Sequence, residues 1–175
     1  AVPAAIRASA NGLIFGPYHY TDVLGAKIGL VPVLIPIAWF AMIYPSYVIA
    51  NLITDGQPSG SRSGLARIAW VSLLSAIIMT AWDLLIDPIL SHPDVQAWVW
   101  ERRGSYFGIP IHNYLGWILT TFTVYMVYRL IERRSAPQPV GVITNWIAAL
   151  AIIAYGSMLL SNMLTGPAAL IVIGP

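Results

Sequence analysis

The sequence predicts an all-α polytopic membrane bundle with about four spanning helices. Three observations carry this expectation. Only 9% of the 175 residues are charged, against 58% hydrophobic, where a soluble domain carries about a quarter charged residues. The mean hydropathy is +0.73. Four stretches also supply the roughly 20 mostly apolar residues that crossing a bilayer requires. A single transmembrane domain over residues 1–175 is expected.

The first span is expected at about 28–54, "IGLVPVLIPIAWFAMIYPSYVIANLIT", which contains no charge. Its prolines (Pro32, Pro36, Pro45) should kink it, which a membrane helix tolerates when neighbours satisfy the freed backbone groups. A turn-rich loop, "DGQPSGSRSG", separates it from a second span at about 65–90. The connection 91–110, "SHPDVQAWVWERRGSYFGIP", is rich in aromatic residues, with Gly104, Gly108 and Pro110, and reads as a structured re-entrant or interfacial loop. The third span, about 111–131, stops at the basic, proline-terminated "ERRSAPQP". A fourth is expected at about 140–162, inside a tail from residue 135 that carries no formal charge. The chain opens without a signal-peptide pattern and closes on "GPAALIVIGP", which reads as the first turns of another apolar helix. Part of a longer membrane protein is therefore the expectation, with an unusually short one as the alternative.

Composition excludes several classes. With no cysteine there is no disulfide framework and no thiolate metal site. A net charge of +2, dispersed along the chain, argues against a nucleic-acid partner. Four consecutive spans put the N-terminal segment, the 91–110 connection and the C-terminus on one face, called A, and the other two loops on face B. Face A holds four basic residues (Arg7, Lys27, Arg102, Arg103) and face B five (Arg62, Arg67, Arg129, Arg133, Arg134). The positive-inside rule then favours face B as cytoplasmic by one residue, and a multi-pass protein of the cytoplasmic membrane is expected. Most acids, and all three histidines (His19, His92, His112), lie toward face A. Any chemistry belongs there.

Three stretches could carry it. In "TAWDLLIDPIL", Asp83 and Asp87 project from one helix face at a spacing of four. An ionised Asp near the bilayer centre costs roughly 2.5–3.5 kcal/mol on insertion scales, so such residues face a bundle interior or a cavity. The plainer alternative puts both at the interface, Asp87 ending the helix and Asp83 pairing with Arg102 or Arg103. Two carboxyl groups in apolar surroundings do not both ionise readily, so one is expected to hold a proton. A neutral carboxylic acid in a dry pocket is a strong proton donor. In "FGPYHYTD", Tyr18 and Tyr20 read either as belt anchors or as pocket wall, and His19 with Asp22 could relay protons. One histidine and scattered acids do not make a metal-ligand set. In "WVWERRGSYFGIPIHNYLGW", Trp98, Trp100, Tyr106, Phe107, Asn113 and Trp117, together with Trp82, suggest an aromatic-lined pocket for an apolar ligand. Such rings also stabilise a carbocation.

"GPYHYTDVLG", "VPVLIPIAWFAMIYPSY", "AWDLLIDP" and "WVWERRGSYFGIPIHNYLGW" together resemble the carotenoid biosynthesis protein family, whose members include carotenoid 1,2-hydratases and bisanhydrobacterioruberin hydratase. The resemblance covers about residues 12–128, with Arg103 and Ser105 departing from a glycine-rich pattern. It implies cofactor-free, acid-catalysed addition of water to the terminal double bond of an acyclic carotenoid held in the bilayer. Chemistry then suggests Asp83 as acid and Asp87 as its tuning or water-orienting partner. His19 and Asp22 would return the proton, Asn113 would hold water, and Trp82 and Trp117 would face the cation. One alternative is a non-catalytic carotenoid- or quinone-binding subunit working with further membrane subunits. Another is a Mg²⁺-dependent membrane prenyltransferase, which would use an Asp-x-x-x-Asp pair on a diphosphate.

Overall fold

The computed structural model describes residues 12–60, 63–134 and 141–165. Arg7, Arg62 and the closing "GPAALIVIGP" lie outside them. In chain order the elements are β1 (Tyr18–Tyr20), β2 (Lys27–Ile28), β3 (Val31–Pro32), α1 (Leu34–Asp55), α2 (Leu65–Leu90), β4 (Trp98–Trp100), α3 (Ile111–Glu132) and α4 (Val142–Thr165). Among the described residues four helices are long and apolar enough to cross a membrane. The 26 residues of α2 rise about 39 Å, enough to span the hydrocarbon core with tilt.

α1 starts six residues later than expected, and the prolines explain it. Residues 27–28 and 31–32 pair antiparallel as a small ribbon, Lys27 opposite Pro32, so Pro32 ends a strand. Pro36 sits in the first helical turn, where its missing N–H would be unpaired anyway. Only Pro45 lies in the helix interior. Side chains serve carbonyls of the turn before it: Ser46 Oγ donates to Met42 O at 2.8 Å, and Tyr125 of α3 donates to Ile43 O at 3.0 Å.

α2 is the central helix, packed against α1, α3 and α4, while α4 lies mainly on α1. Helices in lipid gain little from burying apolar surface against one another, so close packing of small residues and satisfied polar groups must hold them. Ser75, Thr80 and Thr121 are buried and donate back to Val71 O, Ala76 O and Trp117 O at 2.7–2.8 Å. They therefore pack as small residues with no hydroxyl proton left over. The buried face of α3 is a run at intervals of four: Asn113, Trp117, Thr121, Tyr125 and Arg129. Outward positions such as Phe40, Trp70, Leu119 and Ile153 are apolar and exposed, as lipid-facing positions should be.

Arg129, counted among the charges of face B, is not a surface charge. It is 1% exposed. Its Nη1 reaches Glu132 at 3.0 Å and Tyr47 Oη and Asn51 Oδ1 at 3.3 Å. Tyr47 also donates to Glu132 at 2.6 Å. Arg67 and Asp55 form a second ion pair, with the Arg67 side chain about half exposed. The two pairs should differ in weight. Glu132→Ala strands a buried guanidinium and should cost about 3–5 kcal/mol. Arg67→Ala removes a half-exposed side chain but leaves Asp55, only 10% exposed, without its cation, and should cost about 1–3 kcal/mol, less than Glu132→Ala. Thermal unfolding of both variants in detergent checks this, and equal shifts would mean that Arg129 does not depend on Glu132.

Candidate functional site

Helical spacing places Asp83 and Asp87 one turn apart on the inner face of α2, where they are 3% and 1% exposed. Both are enclosed by protein side chains, and neither pairs with Arg102 or Arg103. Their shared partner is Asn113, in the first turn of α3. Its Nδ2 donates to Asp83 Oδ2 at 3.2 Å and to Asp87 Oδ2 at 2.9 Å. One amide nitrogen, with two hydrogens, clamps both carboxyl groups. Asn113 is thus committed to the carboxylates rather than free to donate to a water.

The other donors come from the 91–110 connection, which contains a strand. β4 pairs antiparallel with β1, in the register Tyr18–Trp100, His19–Val99 and Tyr20–Trp98. Cross-strand partners share a face and neighbours along a strand alternate. Tyr18, Tyr20, Trp98 and Trp100 therefore lie on one face, above the carboxylates. Trp98 Nε1 donates to Asp87 Oδ1 at 2.7 Å, and Trp100 Nε1 to the same oxygen at 3.4 Å. The tyrosine hydroxyls meet at 3.2 Å. Burial raises the pKa of the Tyr18 phenol well above its usual value, helped by the neighbouring Tyr20, and burial raises that of Tyr20 too. Both remain neutral O–H groups at ordinary pH.

Between this aromatic roof and the polar floor lies a cavity of about 230 Å³. Trp82 of α2 and Trp117 of α3 form walls, with Trp39 of α1 stacked on Trp117 at a centroid distance of 4.3 Å and Phe15 set edge-on to Trp39 at 6.5 Å. Gly116 makes the Phe15 placement available: a Cβ there would collide with the Ile14 carbonyl, so only glycine lets the N-terminal segment lie directly on α3. Val31, Ile35, Ala38, Ile86 and Leu90 complete an apolar margin.

Four of the expected site residues are not on the cavity wall. His19 alternates out of the roof, and its Nδ1 faces Glu101 at 3.6 Å. Asp22 is held by Lys27 at 2.8 Å with its side chain fully exposed, and that hydrogen bond keeps its pKa below the usual carboxylate value. The two therefore form no relay at the carboxylates. Tyr106 donates to Leu84 O at 3.0 Å and packs edge-on against Tyr114 and Phe107, buttressing α2 from outside. Phe107 is 43% exposed at a turn with φ +48°. Conversely, Trp39 and Phe15 were not singled out in the sequence. For Trp39 a signal existed: Ile35, Ala38, Trp39 and Met42 follow helical spacing.

Chemically, the site combines a hydrogen-bonded carboxyl pair with a largely apolar, aromatic cavity. It can donate and accept a proton within a few ångströms and surround a cation with ring faces. Among the described residues no cluster of three histidine or acidic side chains could hold a metal ion.

A family model described as "Carotenoid biosynthesis protein" matches residues 6–173. No curated protein and no solved structure gives a significant match. With nearly the whole sequence inside that match, the four membrane-length helices and their aromatic cavity belong to a member of the carotenoid biosynthesis protein family, with a role in carotenoid biosynthesis.

Proposed function

We propose that the protein hydrates the terminal carbon–carbon double bond of an acyclic carotenoid by acid catalysis. The observation that carries this reading is the unequal treatment of two buried carboxyl groups. Asp87 accepts three N–H donors, from Trp98, Trp100 and Asn113. Asp83 accepts one, at 3.2 Å. Hydrogen bonds from N–H groups favour a charged carboxylate, so the anion belongs on Asp87 and the proton on Asp83.

The chemistry follows from that division. Asp83 gives its proton to C-2; the π electrons form the new C–H bond and leave a tertiary cation at C-1. Trp82 and Trp117 face this cation. Water adds through oxygen to C-1, and the released proton goes to the Asp87 carboxylate. The product is a tertiary alcohol, and return of the proton from Asp87 to Asp83 restores the site. Asp87 thereby takes the proton-accepting role that His19 and Asp22, off the cavity wall, do not reach. The cavity falls below the roughly 300–1,000 Å³ of pockets that enclose whole small ligands, which suits insertion of one chain end with the remainder in lipid.

The N–H donors also bear on the prenyltransferase alternative. They occupy most of the lone pairs of Asp87 that a diphosphate-bound Mg²⁺ would need, while Asp83 Oδ1 carries no donor among the described residues. Hydration by the purified protein should accordingly survive excess EDTA, and loss of turnover with chelator, restored by Mg²⁺, would favour that alternative. Asp83→Asn should keep carotenoid binding but lower turnover by about 10²–10⁴-fold, the usual weight of a positioned acid. Wild-type product from this variant would remove Asp83 as the acid. Co-purification of stoichiometric carotenoid without turnover by the wild-type protein would favour a binding subunit instead. A ring face on a cation is worth about 0.5–2 kcal/mol. Trp117→Phe should therefore be mild and Trp117→Leu severe in rate, with carotenoid affinity nearly unchanged; equal turnover by the two would make Trp117 an ordinary wall.

A further inference from the structure

Hydration consumes one water per turnover, yet the cavity margin formed by Val31, Ile35, Ala38, Ile86 and Leu90 is apolar. A second hollow, of about 250 Å³, is lined by Ser91, Gln96, Val99 and Arg103 among others. Val99 alternates away from the roof residues, so this hollow includes the outer side of the β1–β4 ribbon. Trp100 lines both spaces. Trp100 thus stands between the carboxylate cavity and a recess whose lining is mixed, Ser91, Gln96 and Arg103 beside Pro93, Val99 and Phe107.

We infer that the outer hollow is a water vestibule and that Trp100 is the movable partition through which water reaches Asp83 and Asp87. Three features support movement of Trp100 rather than Trp98. Its N–H bond to Asp87 is 3.4 Å long, against 2.7 Å for Trp98. Its ring borders Gly16, whose absent Cβ would stand 3.8 Å from the ring edge, so clearance remains on that side. Gln96 and Phe107 both line the vestibule and both hold left-handed backbone, at φ +49° and +48°. Non-glycine residues rarely adopt that conformation, and such strained positions cluster where segments switch or clamp. The three-residue strands of β1 and β4 form a ribbon that is only marginally stable by itself. The purpose assigned to this route rests on the hydration reading; its geometry does not.

The chain contains no cysteine, so a single one can report on water access. Ile86→Cys places a thiol on the cavity wall, and its labelling by a small, charged, membrane-impermeant thiosulfonate is timed in the full chain in detergent. Trp100→Ala removes the partition and its hydrogen bond and should speed labelling by about two- to tenfold. Trp100→Phe keeps most of the bulk and should stay nearer the wild-type rate. Val99→Trp, which fills the vestibule from the outer side, should slow labelling and, in a chain without the Ile86→Cys change, slow hydration at unchanged carotenoid affinity. A labelling rate indifferent to both Trp100→Ala and Val99→Trp would overturn the route, and if Trp100→Ala fails to fold, Val99→Trp decides alone. Labelling that responds as expected in a protein that hydrates nothing would keep the route and reject the hydration reading.

Discussion

The Asn113 amide, donating to Asp83 and Asp87 together, is the interaction on which the rest of the site depends. Two carboxyl groups on one helix face inside a membrane protein repel when both are charged and lose hydration in every state. One nitrogen with two hydrogens can serve both only if α3 begins close beside the last turns of α2. That sets the register of the two helices, and Pro110 as the residue before α3 places Asn113 in its first turn. The β1–β4 ribbon then completes the coordination of Asp87 with indole N–H groups. The helix pair and the roof are thus positioned by the same two side chains.

Most of the fold was legible because membrane helices announce themselves by length and polarity, and α2 and α3 begin where the sequence places them. The start of α1 was not legible, because an uncharged run does not distinguish helix from ribbon. Only the pairing of Lys27 with Pro32 does so. The cavity gathers Asp83, Asp87, Asn113, Trp82, Trp98, Trp100, Trp117, Tyr18 and Tyr20, all of which their residue types and spacing singled out. His19 lies off the cavity wall for a definite reason. Proximity in sequence to Tyr18 and Tyr20 suggested proximity in space, but a strand sends alternate residues to opposite faces. Asp22 lies off it too, because its partner, Lys27, is brought back by the turn that precedes β2. Trp39 carried a helical-spacing signal, but nothing in the sequence pairs it with Trp117.

The roof shows how an irregular connection acquires a chemical task. Tryptophan is ordinarily an interfacial anchor in membrane proteins, and the abundance of indoles near face A fits that habit. Trp98 and Trp100 go further, because strand pairing turns their N–H groups inward onto Asp87. Their ring edges supply both an apolar ceiling and the donors that a carboxylate requires. Tyr18 and Tyr20 stand opposite as neutral hydroxyls kept in the O–H form by burial. The polar inventory of the cavity is therefore small: two carboxyl groups, the Asn113 amide, two hydroxyls and the indole N–H groups, of which that of Trp82 is buried without a partner among the described residues.

The two ends of the bundle handle buried charge in opposite ways, and the contrast bears on function. At face B, Arg129 meets Glu132, Tyr47 and Asn51, so unlike charges and hydroxyls stabilise one another. A structural account suffices there. At face A the buried groups are alike in sign, and no mutual attraction offsets their desolvation. Donors must be brought from α3 and from β4, and even then they are shared unequally, three to Asp87 and one to Asp83. A pair of apolar residues at these positions would pack α2 against α3 at lower cost. What apolar residues could not supply is an acid beside a carboxylate in a space walled by aromatic rings. The unequal donor set is superfluous for packing, and on the hydration reading proposed above it is what separates an acid from a carboxylate.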